Sequence, residues 1–67
     1  MEFLSKQKLR NAMLAKGVGV SQLAEKAGLQ PLTVTKLLKG DTPCRLPTIS
    51  KLATALQINP TDLLVND

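Results

Sequence analysis

Glycine and proline divide this chain into short segments whose apolar residues recur at helical spacing. The sequence has four glycines and four prolines, and between them almost no stretch alternates apolar and polar residues as a strand would. Glycine suits the end of a helix because it adopts left-handed φ angles, and proline suits the first turn, where its missing N–H has no helical partner. The 67 residues suffice for one hydrophobic core. The pattern therefore predicts an all-α fold of five short helices in a single domain, residues 1–67.

The signals at the segment ends set the bounds of these helices. They are expected over about 6–16, 20–27, 31–39, 46–56 and 60–64. Ser5 is expected to cap the first helix, and Gly19, with Gln22, the second. Gly40 is expected to end the third helix in a left-handed conformation, and residues 41–45 to form a loop rich in turns. The residues expected to face the core are Leu9, Ala12, Met13, Leu23, Ala24, Ala27, Val34, Leu37, Leu38, Ile49, Leu52, Ala53 and Leu56.

The composition excludes most catalytic and metal sites. Histidine is absent, Cys44 is the only cysteine, and Phe3 is the only aromatic residue. A zinc cage, a Cys–His nucleophile pair and an intramolecular disulfide each need residues that this chain lacks. We therefore expect an aliphatic core, no metal or other cofactor, no enzymatic activity, and an incidental role for Cys44.

The charge balance indicates an anionic partner. Nine Lys and Arg residues against five Asp and Glu residues give a net charge of +4, which suits nucleic acid. The first residues show no basic segment followed by an apolar stretch, and no apolar run approaches the roughly 18 residues of a membrane span. Together with the unpaired thiol, these features predict a cytoplasmic, nucleoid-associated protein without membrane contact.

The most informative motif lies in residues 20–40, VSQLAEKAGLQPLTVTKLLKG. Two helices cross at about 90–120° through a turn of three or four residues when a small residue permits close approach and a glycine takes the turn. Ala24 and Gly28 supply these features, and Val34 of the following helix fills the angle. This packing leaves the polar and basic outer face of the 31–39 helix free to enter a groove.

Here the sequence resembles the lambda-repressor/Cro type of helix-turn-helix domain, the Xre family of bacterial and phage regulators. The resemblance covers nearly the whole chain, including the stop at Gly40, the segment 52–58 and the segment 62–64. It implies a lambda-repressor-like fold and a sequence-specific transcriptional regulator that binds double-stranded DNA, with repression as the first expectation and activation as the alternative that stays open.

Two positions depart from the pattern of that family. Val20 stands where many members place a glutamine that holds a phosphate, so that anchor is missing. Met13 and Leu38 stand where many members have a buried Arg–Glu ion pair. Packed apolar side chains often replace such a pair without loss of stability, and we therefore expect Met13 and Leu38 to touch.

The resemblance also implies which side chains meet DNA. The third helix would lie in the major groove, and the expected base-contacting residues are Gln30, Leu32, Thr33 and Lys36. The expected phosphate-contacting residues are Ser21, Gln22, Thr35, Lys39, Arg45 and Lys51. Simpler roles stay open for several of them: Gln30 as a helix cap, Leu32 as ordinary surface, Lys39 as a favourable charge at a helix C-terminus, and Lys51 as a solvated charge. The basic residues expected to be mostly solvated are Lys6, Lys8, Arg10, Lys16 and Lys26.

Pairing of two copies is expected, at least on DNA, because one such domain contacts a half-site only. The candidate interface residues are Ile58, Leu63, Leu64 and Val65, and at least one of Leu63 and Leu64 is expected to close the core instead. Two other functions stay open. The chain is alternatively the DNA-binding antitoxin of a toxin–antitoxin pair, with a protein partner on its apolar surface, or a protein-interaction module that has lost DNA binding.

Overall fold

The computed structural model describes residues 2–40 and 42–65 of the chain. These residues form four α-helices, a short 3₁₀ helix and two short strands. In chain order the elements are β1 (Glu2–Leu4), α1 (Lys6–Lys16), α2 (Val20–Ala27), α3 (Pro31–Leu37), β2 (Thr42–Cys44), α4 (Leu46–Leu56) and the 3₁₀ helix (Pro60–Leu63). The all-α class is confirmed in its helical arrangement, with four α-helices rather than five in the described part.

The helix ends follow the predicted signals closely. The Ser5 hydroxyl accepts a hydrogen bond from the backbone N–H of Lys8 at 3.2 Å, which caps α1. The side-chain oxygen of Gln22 accepts the backbone N–H of Gly19 at 3.0 Å, which closes the start of α2. Both helices end at glycines in the left-handed region, Gly17 at φ 65° and Gly28 at φ 70°. Local signals therefore set the bounds of these two helices.

The third helix and the last one differ from the prediction. Helix α3 ends at Leu37, earlier than expected, and no left-handed glycine ends it, since Gly40 has no positive φ. The chain instead forms a turn of 3₁₀ type, in which the N–H of Lys39 donates to the carbonyl of Lys36 at 3.2 Å. The segment from Pro60 forms a single 3₁₀ turn rather than an α-helix, because it is too short for the α-helical hydrogen bonds to accumulate.

A small antiparallel sheet joins the two ends of the chain to the segment after α3. Strands β1 and β2 pair with Phe3 opposite Pro43, and Leu4 forms an isolated antiparallel bridge with Leu64. The N–H of Val65 donates to the carbonyl of Phe3 at 3.0 Å. The expectation of a loop over 41–45 is therefore wrong for residues 42–44, while Asp41 lies outside the described residues. Strands of three residues are too short to show an alternating pattern.

The core lies where α1, α2, α3 and α4 meet beneath this sheet. Its buried apolar residues are Leu4, Leu9, Met13, Leu23, Ala24, Ala27, Val34, Leu37, Cys44, Ile49, Leu52, Ala53, Leu56 and Leu63. Most of the predicted core residues are confirmed, while Ala12 and Leu38 are half-buried against the cluster. Met13 and Leu38 thus belong to one packed region, and their direct contact stays a prediction. Within the described residues no helix is long and apolar enough to cross a membrane.

Candidate nucleic-acid interface

The turn between α2 and α3 has the geometry that the motif predicts. Gly28 takes the left-handed conformation, with φ 70° and ψ 31°, and the N–H of Leu29 returns to the carbonyl of Ala24 at 2.8 Å. This pair of features closes α2 and turns the chain sharply into α3. Ala24 and Val34 are both buried at the junction. A Cβ on Gly28 would meet no atom within 4 Å, so this position needs glycine for its backbone angle and not for space.

Helix α3 has one buried side and one exposed side. Val34 and Leu37 are buried, whereas the four predicted base-contacting residues are exposed. Those residues are Gln30, Leu32, Thr33 and Lys36. Leu32 and Lys36 are four residues apart on the side opposite Val34, Thr33 lies three residues from Lys36, and Gln30 is exposed at the N-cap position of the helix. Leu32 is 63% exposed, so it is accessible to DNA, and its alternative role as ordinary surface stays open.

Gln30 is the N-cap residue of α3 by its backbone. Its φ of −84° and ψ of 145° are extended, and its carbonyl accepts the N–H of Thr33 at 3.0 Å. Its side chain makes no cap hydrogen bond to the helix. The side-chain amide of Gln30 therefore keeps both its donor and its acceptor for an external partner.

The predicted phosphate-contacting residues divide into exposed and engaged side chains. Ser21, Lys39, Arg45 and Lys51 are exposed. Thr35 is half-buried, and its hydroxyl donates to the carbonyl of Pro31 at 3.0 Å. Its proton is thus used within α3, a local bond that the spacing alone did not reveal.

Gln22 retains part of its hydrogen-bonding capacity. Its side-chain oxygen is used by Gly19, but its side-chain N–H₂ group has no partner among the described residues. The first turn of α2 also presents backbone N–H groups that lack helical carbonyl partners. The start of α2 therefore offers several donors to an anion even though Val20 supplies no glutamine side chain.

The C-terminal residues show which of the interface candidates are accessible. Leu63 is fully buried, so it closes the core and offers no surface to a second copy. Ile58 and Leu64 are half-buried, and Val65 is 40% exposed. The prediction that Leu63 is an interface residue is therefore wrong, and the other three residues stay candidates.

Lys8 has a structural contact that the sequence did not suggest. Its ammonium group donates to the carbonyl of Leu64 at 2.8 Å, so it ties α1 to the end of the chain and is not simply solvated. A partner so distant in the sequence leaves no local signal at position 8.

Comparisons with known proteins agree with this geometry. Residues 8–66 match the model of the Cro/C1-type helix-turn-helix DNA-binding domain. The crystal structure of the restriction-modification controller protein C.AhdI from Aeromonas hydrophila is 38% identical, with a TM-score of 0.79, over 85% of this chain and 86% of that chain. No curated protein matches the chain.

Parts of larger enzymes share the fold. A 2-hydroxyethylphosphonate dioxygenase is 28% identical with a TM-score of 0.85, over 94% of this chain and 15% of that chain. The Streptomyces albus enzyme is 33% identical with a TM-score of 0.85, over 90% of this chain and 14% of that one. This similarity concerns a small part of each enzyme, and it carries no information about their activity to this chain.

The family match covers most of the chain. The buried junction of α2 with α3 and the exposed side of α3 are what such a domain requires. The chain belongs to the family of Cro/C1-type helix-turn-helix DNA-binding domains, and it is a DNA-binding transcription regulator.

Proposed function

We propose that this protein is a repressor that places α3 in the major groove of a pseudo-palindromic operator. The observation that carries the proposal is the two-sided character of α3. Val34 and Leu37 fix the helix to the core, while Lys36 extends from the opposite side into solvent and Gln30 is exposed at the N-cap position. A helix held rigidly by one side presents the other in a defined orientation, which base recognition requires.

Each of the four predicted base-contacting residues suits a particular base edge. The free amide of Gln30 matches the donor and acceptor of adenine, and the ammonium group of Lys36 matches the acceptors of guanine. The exposed Leu32 and the methyl group of Thr33 suit contact with a thymine methyl group. Each good contact contributes about 1–3 kcal/mol of discrimination.

Phosphate contacts flank this helix in the proposal. Ser21 and the N–H₂ group of Gln22 act with the first-turn amides of α2, and Lys39, Arg45 and Lys51 supply positive charge. Thr35 contributes only if its hydroxyl releases the carbonyl of Pro31. These contacts fix the position of the domain on the duplex, and the base contacts select the sequence.

Two copies bind the operator in this proposal, one on each half-site. A single module of this kind buries only about 600–1,000 Å² of protein surface on DNA, so the affinity of one domain is limited. Ile58, Leu64 and Val65 form the proposed contact between the copies. The half-sites then lie about 34–36 Å apart, one turn of the double helix, or at a multiple of that distance.

Repression follows from occupancy of the operator and needs no chemical step by the protein. The proposal therefore includes no enzymatic activity and no cofactor. The similarity to a restriction-modification controller protein over most of both chains supports this type of regulation.

Selection of bound duplexes from a random pool tests the proposal directly. We expect an enriched sequence with two-fold symmetry, and a reporter gene placed behind that sequence should be expressed less when the protein is present. Enrichment of an asymmetric single site would contradict pairing on DNA, and increased expression would contradict repression. Failure to enrich any sequence would overturn sequence-specific binding.

Sedimentation velocity tests pairing separately. Two copies are expected on the selected duplex, and Val65→Asp should reduce the complex to one copy because it places a charge in the proposed apolar contact. Unchanged pairing by this variant would place the contact elsewhere on the domain.

A further inference from the structure

An open groove of about 280 Å³ lies between α2 and α4. Its lining residues are Lys26, Ala27, Ser50, Lys51 and Thr54. Ala27 is buried, and its single methyl group leaves room above it, while the other four side chains are exposed. We call this feature the lysine groove.

The lysine groove contains hydrogen-bond donors without an acidic partner. Lys26 and Lys51 contribute two ammonium groups, and Ser50 and Thr54 contribute two hydroxyls that lie one helical turn apart on α4. Among the described residues, none of these four side chains makes a hydrogen bond or an ion pair. No carboxylate lines the groove. The groove is therefore positive and has its donors unused.

The size and charge of the groove select the class of ligand. Sites for drug-sized molecules typically have volumes of about 300–1,000 Å³ and mostly apolar linings. The volume of the lysine groove is just below that range, and its lining carries two lysines and two hydroxyls without a carboxylate, so a small anion fits it better than a large organic molecule. A tetrahedral phosphate group, with several acceptor oxygens and negative charge, matches two ammonium groups and two hydroxyls.

We propose that the lysine groove binds a phosphate group. The phosphate comes either from the backbone of bound DNA or from a phosphorylated small molecule, since both present the same oxygens. The DNA source rests on the proposed function and extends the DNA contact from Lys51 to Lys26. The small-molecule source would give the regulator a ligand site outside α3.

The helix dipole stabilises one of the two lysines of the groove but not both. Lys26 lies in the last turn of α2, where a cation is stabilised by the helix dipole. Lys51 lies in the middle of α4, where this effect is weak. The helix dipole therefore accounts for Lys26 and leaves the placement of Lys51 beside it to another role.

The test has two arms and a matched control. The variants are Lys26→Gln, Lys51→Gln and, as control, Lys16→Gln, because Lys16 is an exposed lysine in the last turn of a helix that also ends at a left-handed glycine. In the first arm, the amide resonances of the full chain are followed in NMR spectra during titration with inorganic phosphate, with chloride at equal ionic strength for comparison. In the second arm, the affinity for a duplex is measured across salt concentrations.

We expect phosphate to shift the amides of Ala27, Ser50, Lys51 and Thr54 saturably in the wild type and in Lys16→Gln. These shifts should disappear in Lys26→Gln and Lys51→Gln. If DNA supplies the phosphate, each groove variant also lowers the slope of log affinity against log salt by about 0.9, the value for one phosphate contact. If a small molecule supplies it, Lys26→Gln leaves the slope unchanged, and only Lys51→Gln, which removes a proposed phosphate contact, lowers it.

The proposal is overturned if phosphate acts no differently from chloride and the salt slope of Lys26→Gln equals that of the wild type. It is also overturned if Lys16→Gln changes both readouts as much as Lys26→Gln does, since this would show a general effect of charge. A wild-type chain that binds no duplex would refute the proposed function alone, because the phosphate titration contains no DNA.

Discussion

Two regions of this domain are built in opposite ways. The corner, residues 20–37, is formed by neighbours in sequence: Gly28 turns the chain, and Ala24 and Val34 pack at the junction. The sheet, by contrast, joins Phe3 to Pro43 and Leu4 to Leu64, so its partners come from the start, the middle and the end of the chain. The corner carries the proposed DNA-binding surface, and the sheet holds the remote segments of the chain against the core.

Residues close together in the sequence specify the corner, whereas the sheet depends on contacts between segments that are far apart in the sequence. Signals for the corner lie within a few residues of the structure that they specify. Pairing in the sheet closes much longer loops than the turn of the corner does, so it depends more on the packing of the helices between its strands. Both regions nevertheless contribute fully buried leucines to one core, Leu23 from the corner and Leu4 from the sheet.

The strongest test of this comparison is Leu23→Ala against Leu4→Ala. Both side chains are 0% exposed, so each truncation should reduce the free energy of unfolding by about 2–5 kcal/mol. Urea denaturation gives the values, and Leu14→Ala serves as control, because Leu14 is 74% exposed and its truncation should change stability by less than about 0.5 kcal/mol. A small effect of Leu4→Ala alone would show that the sheet is separable from the core.

Next in size is the effect of Lys36→Gln on DNA recognition. Lys36 lies on the exposed side of the corner, so its replacement should weaken binding to the preferred sequence by about 1–3 kcal/mol and relax the choice at one base pair. Thermal unfolding should be unchanged, because the side chain is exposed. The measurement is a fluorescence titration with the selected duplex and with single-base variants of it.

Arg45→Gln is the matched comparison for Lys36→Gln. Arg45 follows β2 and is the N-cap residue of α4, so it belongs to the border of the sheet rather than to the corner. Its replacement should weaken binding to all sequences alike and lower the salt slope by about 1. If Arg45→Gln instead altered sequence preference, the assignment of Arg45 to a phosphate contact would be wrong.

The corner was predictable because several local signals agree within one segment. Pro31 at the start of α3, the glycine at position 28 and the apolar positions 34 and 37 each indicate the same arrangement, and the exposed side of α3 follows from what they bury. The sheet was not predictable, since three-residue strands carry no periodic signal and Leu64 lies far from Leu4 along the chain. The burial of Leu63 depends on the same remote pairing, and so does the contact from Lys8 to the carbonyl of Leu64.

Two glycine substitutions test the turn of the corner, and their expected effects on stability are smaller. In Gly28→Ala the backbone must keep a φ of 70°, and an L-residue in the left-handed region costs roughly 1–2 kcal/mol. At Gly40 the φ angle is not left-handed, and an added Cβ meets nothing within 4 Å. Gly40→Ala should therefore leave stability unchanged or raise it by about 0.4–1 kcal/mol, because alanine restricts the unfolded chain.

Differential scanning calorimetry of the two glycine variants distinguishes a turn set by its backbone angle from one that any residue tolerates. Equal losses at both positions would contradict this distinction. A stabilising Gly28→Ala would show that α2 is able to end without a left-handed residue, and the local description of the corner would fail.

The smallest expected effect concerns Cys44, whose side chain lies buried in the sheet. Burial raises the pKa of the Cys44 thiol above its ordinary value, which is about 8.5, because the thiolate is poorly solvated there. The unfolded chain therefore releases this proton at lower pH than the folded chain. Stability is fully retained below the unfolded pKa and declines as the pH rises from there through the folded pKa.

Urea denaturation of the wild type and Cys44→Ala, at several pH values from about 8 to just below the lysine range near 10.4, measures this decline. The free energy of unfolding should fall with pH more steeply in the wild type, and the difference between the two slopes isolates the thiol because all other titrating groups are shared. In the native wild type, alkylation by iodoacetamide should also be slower than in urea, since thiolate is the reactive form. Equal slopes together with rapid alkylation of the native protein would mean that β2 opens readily, and the sheet would then be a loosely held part of the fold, unlike the corner.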